Sequence, residues 1–310
     1  MINFRYHVVS LTAIFLALAI GLVVGTAAGN GPAADTLLGQ VDGLRKQSQK
    51  YRDQVDELHE EVNKQEQWAA DAAPMLLTNQ LADRRVLLVT MPSAEDDIDG
   101  VVSMLTLAGA KIHSRVQMSD KFTDPKSNEQ LLDLALSASP AGLRGTLPAN
   151  SNGVQTSTAL LAAVLAGGPV EGGRTVISAY QSQEYLTFTG DLGPADAIVV
   201  LTGQPYSEED SAKRNAATLT MVDRLSGITK MVVGAPNAAG EGNVVRAVRG
   251  DPELAKSLST VDNVTTTWGR LDVPLALIEQ FAGRSGHYGV GSGASARLPR
   301  ATGGAHSGGS

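Results

Sequence analysis

The chain has 310 residues, with 25 Lys and Arg against 32 Asp and Glu, a net charge of −7 and an isoelectric point near 5.3. That acidic balance argues against a nucleic-acid partner, which needs a basic stripe. There is no cysteine, so a disulfide-stapled fold, thiolate metal sites and cysteine nucleophiles are excluded.

From Tyr6 to Ala34 there is no Asp, Glu, Lys or Arg, and the run from Val8 to Ala28 is apolar apart from Ser10, Thr12 and Thr26. At 1.5 Å per residue it makes roughly 30 Å of helix, enough to cross a bilayer core. The core is longer than the ~7–15 residues of a cleaved secretory signal. Although Gly25-Thr26-Ala27 would pass as a cleavage site, an uncleaved anchor over residues 1–34 is the preferred reading. Arg5 precedes the helix and the first charge after it is Asp35, which puts the N-terminus in the cytoplasm and the bulk outside. Ala13, Ala17, Gly21, Gly25 and Gly29 recur at every fourth position. They are either a ridge on which two membrane helices approach closely or the ordinary small-residue content of such helices.

After a break at Asn30-Gly31-Pro32, a heptad pattern spans residues 35–73. Val41, Ser48, Val55, Val62 and Ala69 occupy a; Leu37, Leu44, Tyr51, Leu58, Gln65 and Ala72 occupy d. A soluble amphipathic helix seldom holds a strict seven-residue repeat so long, because 3.6 does not divide seven. Val at a with Leu at d favours a parallel two-stranded coiled coil, which would hold the next domain roughly 50 Å from the bilayer. Ser48, Gln65 and the alanines are weak seam positions, and Glu61 at g would face Glu66 at e of a partner. A helix folded back on its own domain is the alternative. Pro74 is expected to end the coil.

Residues 74–290 alternate between strand and helix patterns. Arg85–Thr90, Lys111–Met118, Asp196–Thr202 and Lys230–Gly234 read as strands; Thr175–Ala179, Tyr185–Phe188 and Ser259–Val261 are shorter ones. Helices are expected from a capping box at Ser93–Asp96 to Gly109, around Glu129–Leu136, Ser157–Leu165 and Asn243–Val248, and over Glu208–Leu225 and Gly269–Phe281. This alternation predicts an extracytoplasmic α/β domain with a mostly parallel sheet. The Gly, Ser and Ala composition of residues 291–310 predicts a disordered tail.

The chemical motifs are sparse. The first strand-to-helix turn, Met91-Pro92-Ser93-Ala94, lacks GxGxxG, and no Walker A loop, GxSxG elbow or HExxH helix occurs. The loop Gly234–Gly242 is glycine-rich but carries no basic residue, so it reads as a turn more readily than as a ligand cradle. Glu95, Asp96, Asp97 and Asp99 gather at a helix start, where negative charge suits the dipole. No enzymatic activity is expected. The histidines His7, His59, His113, His287 and His306 form no HxH or HxxH pair. His287 and His113 are the candidate nitrogen donors for a metal, with His287 as a loop histidine capping the preceding helix as the alternative. The expected dimer interface comprises Ala13, Ala17, Gly21 and Gly25 in the anchor, and Val41, Leu44, Tyr51, Val55, Leu58 and Val62 in the coil.

Phe4-Arg5-Tyr6-His7, the following Val-Ser-Leu and the helix AIFLALAIGLVVG resemble the opening of the mycobacterial copper transport protein B family. Thr260-Val-Asp-Asn263, an apolar helix and Ser285-Gly-His-Tyr-Gly289 resemble its far end, although Val264-Thr-Thr-Thr-Trp268 departs from that pattern. The resemblance implies copper efflux or tolerance across the cell envelope, with copper as the ion handled and the outer membrane as location. A barrel needs alternating strands and aromatic girdles; aromatics are only 4% of this chain and the pattern is α/β. A second class also fits the anchor and heptads: a dimeric envelope scaffold that regulates peptidoglycan-associated partners such as hydrolases.

Overall fold

The computed structural model describes residues 4–29, 32–150, 152–167 and 169–300. The chain divides into two units, Met1–Gln65 and Glu66–Ser310.

In the first unit, α1 (Phe4–Gly29) carries a span, Tyr6–Thr26, of mean hydropathy 2.6 with no side chain buried. Thr12 and Thr26 donate their hydroxyls to the carbonyls of Val8 and Leu22, one turn back, at 2.8 and 2.9 Å. Their polar groups are thereby satisfied within the helix, as an apolar surrounding requires. The expected break at Asn30-Gly31 lies outside the described residues. Helix α2 (Pro32–Leu77) opens on a proline, whose fixed φ suits a first turn.

The expected stop at Pro74 is not where α2 ends. The missing proline N–H costs one bond near the helix end, while Ala73 and Leu77 are buried on one face and hold the next turn.

The second unit continues through β1 (Arg85–Thr90), α3 (Ile98–Leu107), β2 (Lys111–Met118), α4 (Asp120–Thr123), α5 (Asn128–Ala138), α6 (Gly153–Leu165), α7 (Gly173–Ser182) and β3 (Leu186–Gly190). It then runs through β4 (Ala197–Leu201), α8 (Ser211–Ser226), β5 (Lys230–Gly234), α9 (Val244–Gly250), α10 (Leu254–Ser257), β6 (Ser259–Val261), α11 (Thr267–Phe281) and β7 (His287–Tyr288). The sheet order is β3-β2-β1-β4-β5-β6-β7, parallel throughout except β3 against β2. This is the predicted α/β class. Because successive side chains of a strand alternate in direction, Leu87 and Val89 of β1 join a core with α5 to α9. Val86 and Leu88 join a core with α3, α11 and the end of α2. Both faces of the central strands are covered, which is why they read as continuous apolar runs.

Three local expectations are corrected. Thr175–Ala179 is not a strand but the middle of α7. Its β-branched residues mislead, yet Val176, Ile177 and Tyr180 form one buried helical face, and burial overrides propensity. Ser93 does not open an α-helix: Pro92–Asp97 is a 3-10 turn without a side-chain cap, and α3 begins at Ile98. Residues 291–300 are not a free tail. Gly291 donates its N–H to Asp262, the Ser295 hydroxyl donates to the His287 carbonyl at 2.9 Å, and Arg300 donates its N–H to Glu279 at 3.1 Å. A segment rich in Gly, Ser and Ala is thus pinned by its backbone to the buried carboxylates of Asp262 and Glu279. The rest of the expected tail, residues 301–310, lies outside the described residues.

Candidate functional site

In a doubly wound sheet, ligands bind beyond the carboxyl ends of the strands where the strand order reverses. Here that point lies between β1 and β4. The loops after the two strands meet there: a Cβ on Gly203 would lie 2.1 Å from the Ser93 carbonyl oxygen. The remaining cavity is about 20 Å³, far below the several hundred Å³ of a typical ligand pocket.

A larger cleft of about 300 Å³ opens at the ends of β5 and β6, walled by Pro236–Gly240, Arg246, Asn263 and Gly291. The glycine-rich loop is therefore both a turn and a wall. Asn237 accepts the Ala239 N–H at 2.9 Å, and the Asn243 amide donates to the Asn237 carbonyl at 3.0 Å.

Behind the cleft lies a buried ionic cluster. Arg249 and Asp262 pair at 2.8 Å with side chains 2% and 1% exposed. Arg249 also donates to the Thr260 hydroxyl and to the carbonyls of Ser292 and Tyr288. Asp262 also accepts the N–H groups of Val290 and Gly291. Gly289, at φ +125°, passes so close that a Cβ would lie 2.2 Å from Asp262 Oδ1. On α11, Glu279 accepts the Tyr288 hydroxyl. Asp272 is 1% exposed, and its Oδ1 has no hydrogen-bond partner. Burial, and then the charge of Asp262, push the Asp272 carboxyl up to about 8. Of the acidic group at the start of α3, Asp97 is buried and faces Arg270 at 3.8 Å.

The two candidate histidines do not meet. His113 lies on β2 and His287 on β7, five strand spacings or about 24 Å apart across the sheet. The His113 ring is 3.1 Å from the Val86 carbonyl through Nδ1 and 3.2 Å from the Ser114 hydroxyl through Nε2. His287 is in a strand rather than a helix-capping loop, with Nδ1 2.9 Å from the Thr260 hydroxyl. Burial lowers both imidazole pKa values, aided by Arg85 at His113 and by Arg249 at His287. Both rings are held in the neutral form that metals require, but each is already engaged within the fold. Among the described residues no group of three or more His, Cys, Asp or Glu is placed to hold a metal ion.

The expected interface residues are open to solvent. Ala13, Ala17, Gly21 and Gly25 are exposed, and a Cβ on either glycine would meet nothing within 4 Å. Val41, Leu44, Tyr51, Val55, Leu58 and Val62 are 43–65% exposed. Beyond them the pattern changes: Gln65 is exposed and Ala72 half-buried, while Ala69 is fully buried and Ala73 and Leu77, off the seam, lie in the chain's own core.

Two features at this point escape a sequence reading. Glu66 accepts the Thr267 N–H at 2.6 Å, and Trp68 stacks on Trp268 with ring centroids 4.9 Å apart. The only sequence signal was that the chain has just two tryptophans.

A family model described as copper transport outer membrane protein, MctB, matches residues 1–299. The copper transporter MctB of Mycobacterium tuberculosis is 30% identical, over 95% of this chain and 98% of its own length, and that of Mycobacterium bovis is equally similar. The copper transporter MctB of Mycobacterium leprae is 28% identical over the same shares.

Proposed function

The chain belongs to the MctB copper transport family, and on that premise we propose that it works in copper efflux or tolerance at the cell envelope. In this reading it is a non-enzymatic protein held by an uncleaved helix, with its α/β domain outside the cytoplasm, and it acts as a parallel homodimer. The family match carries the proposal, because it takes in anchor, heptad helix and α/β unit together. The fully exposed apolar span supports anchoring, and the exposed a and d residues support pairing of two copies. Copper enters here as the transported ion.

The test is deletion of the gene in the parent bacterium. Growth should become copper-sensitive and cell-associated copper should rise, both restored by the full chain. A deletion strain with unchanged tolerance and unchanged copper content overturns the proposal.

A second reading is favoured by one observation, the stretch of α2 over residues 39–65, which is exposed on every side and so keeps a free face outside the a and d stripe. In it, the dimeric helix presents a surface that regulates envelope proteins such as peptidoglycan hydrolases. Copper-independent crosslinking of a hydrolase to α2 in cells distinguishes the two.

A further inference from the structure

We infer, on the dimer reading above, that α2 changes partners at Glu66. From Val41 to Val62 it pairs with a second copy of this chain, and from Glu66 onward a clasp commits it to its own domain.

Exposure marks the boundary. From Val41 to Val62 the a and d residues face solvent, whereas Ala69 at a is 0% exposed, and off the seam on the same helix Ala73 is 1% and Leu77 0%. A partner helix following the repeat past Val62 would have to uncover the buried Ala69 and, one turn on, pull Ala73 from a core that includes Leu271, Val273 and Leu277.

Charge marks the same boundary. In a parallel in-register pair, each g residue faces the e residue five places on in its partner. Gln40 then meets Arg45, Gln47 meets Arg52 and Gln54 meets His59, all compatible with hydrogen bonding. Glu61 opposite Glu66 is the single like-charge pair. The structure gives Glu66 a different occupation: its carboxylate takes the Thr267 N–H at the start of α11. Negative charge is favoured at a helix N-terminus, and the Thr266 hydroxyl, accepting the Gly269 N–H at 3.1 Å, completes that turn. Two residues on, Trp68 is stacked on Trp268 at an interplanar angle of 29°. The clasp removes the one repulsive pair from the seam and ends the seam at the same place. Each domain therefore stays with its own α2, and no element is exchanged between copies.

The natural chain has no cysteine, so single cysteines report without background. Full-length L44C, Y51C, L58C and A72C variants, all at d positions, are reconstituted in detergent and treated with a short bis-maleimide. The expected result is covalent dimer at the first three in at least about ten-fold higher yield than at A72C. A monofunctional maleimide on the A72C thiol serves as the accessibility control. Releasing the clasp with E66Q and W68A in the A72C chain should raise its dimer yield several-fold. Equal crosslinking of A72C and L58C in the intact chain overturns the inference and leaves the dimer standing. Absence of dimer at every position overturns the dimer reading, and the inference with it.

Discussion

Asp272 is a carboxylate in a place that favours its neutral form. One oxygen is buried without a partner, Asp262 lies close enough to repel its charge, and its pKa stands at about 8 against 3.8 for the free side chain. The sign follows from proton counting: between those values the folded chain holds a proton that the unfolded chain has lost, so stability falls as pH rises. Between pH 7.5 and 8.5 the depressed histidines contribute little, because that window lies about one unit or more above their ordinary value of 6.5 and the imidazoles are then neutral in both states. Urea midpoints should therefore drop across that window, by up to about 1 kcal/mol per pH unit, and the drop should shrink in Asp272→Asn. An identical drop in the variant would show that another group titrates. Arg249 and Asp262 behave differently, since Arg249 makes four hydrogen bonds and both carboxylate oxygens of Asp262 accept. Arg249→Ala leaves Asp262 buried and unpaired, and should cost about 3–5 kcal/mol in a denaturant melt. Asp262 also takes the N–H groups of Val290 and Gly291, so limited proteolysis after residue 289 should accelerate in the same variant.

At the level of elements, the strands were the most legible. β1, β2 and β5 have the limits that their apolar or alternating runs predict, because burial on one or both faces writes a period directly into the chain. Where long-range packing decided, the sequence misled: α7 looks like a strand until Tyr180 is seen bonded to Ser157 in the core at 2.8 Å. β7 is two residues long and is defined by its pairing with β6 and a bridge from Tyr288 to Ala296. The Glu66 and Trp68 contacts join residues some 200 positions apart, a distance over which no local pattern speaks. The same argument limits the coil. Heptads from Val41 to Val62 read as a seam in the sequence, and among the described residues their a and d side chains are exposed, while Ala69 fits the repeat and is buried instead. On the proposed dimer, replacing Val55 and Leu58 with Asp should leave the full-length chain monomeric in sedimentation, since both charges would have to be buried at the seam. An unaltered chain that sediments as a monomer would assign the exposed stripe to some other surface.

For the whole molecule, two expectations follow from how charge and donor atoms are distributed. Arg5 precedes the apolar span and the first acidic residue after it is Asp35. A reporter fused after Ser310 should thus be active only outside the cytoplasm, and cytoplasmic activity would sink both functional readings together. The second expectation concerns copper, where the family and the side chains pull in different directions. Cu(I) seeks thiolate or thioether and Cu(II) seeks imidazole, yet the chain has no cysteine, its seven methionines form no MxxM pair, and its two candidate histidines are five strand spacings apart. A chelating site would need at least two such donors on one ion. While its Nδ1 stays with Thr260, His287 offers an ion one imidazole nitrogen at most. Transport does not require tight binding, since an ion that passes must also leave. The full chain in detergent should therefore bind copper more weakly than about micromolar, with the same isotherm in His287→Ala. Stoichiometric binding tighter than that, lost in His287→Ala, would reveal a site assembled between copies, and would move the copper chemistry from passage to capture.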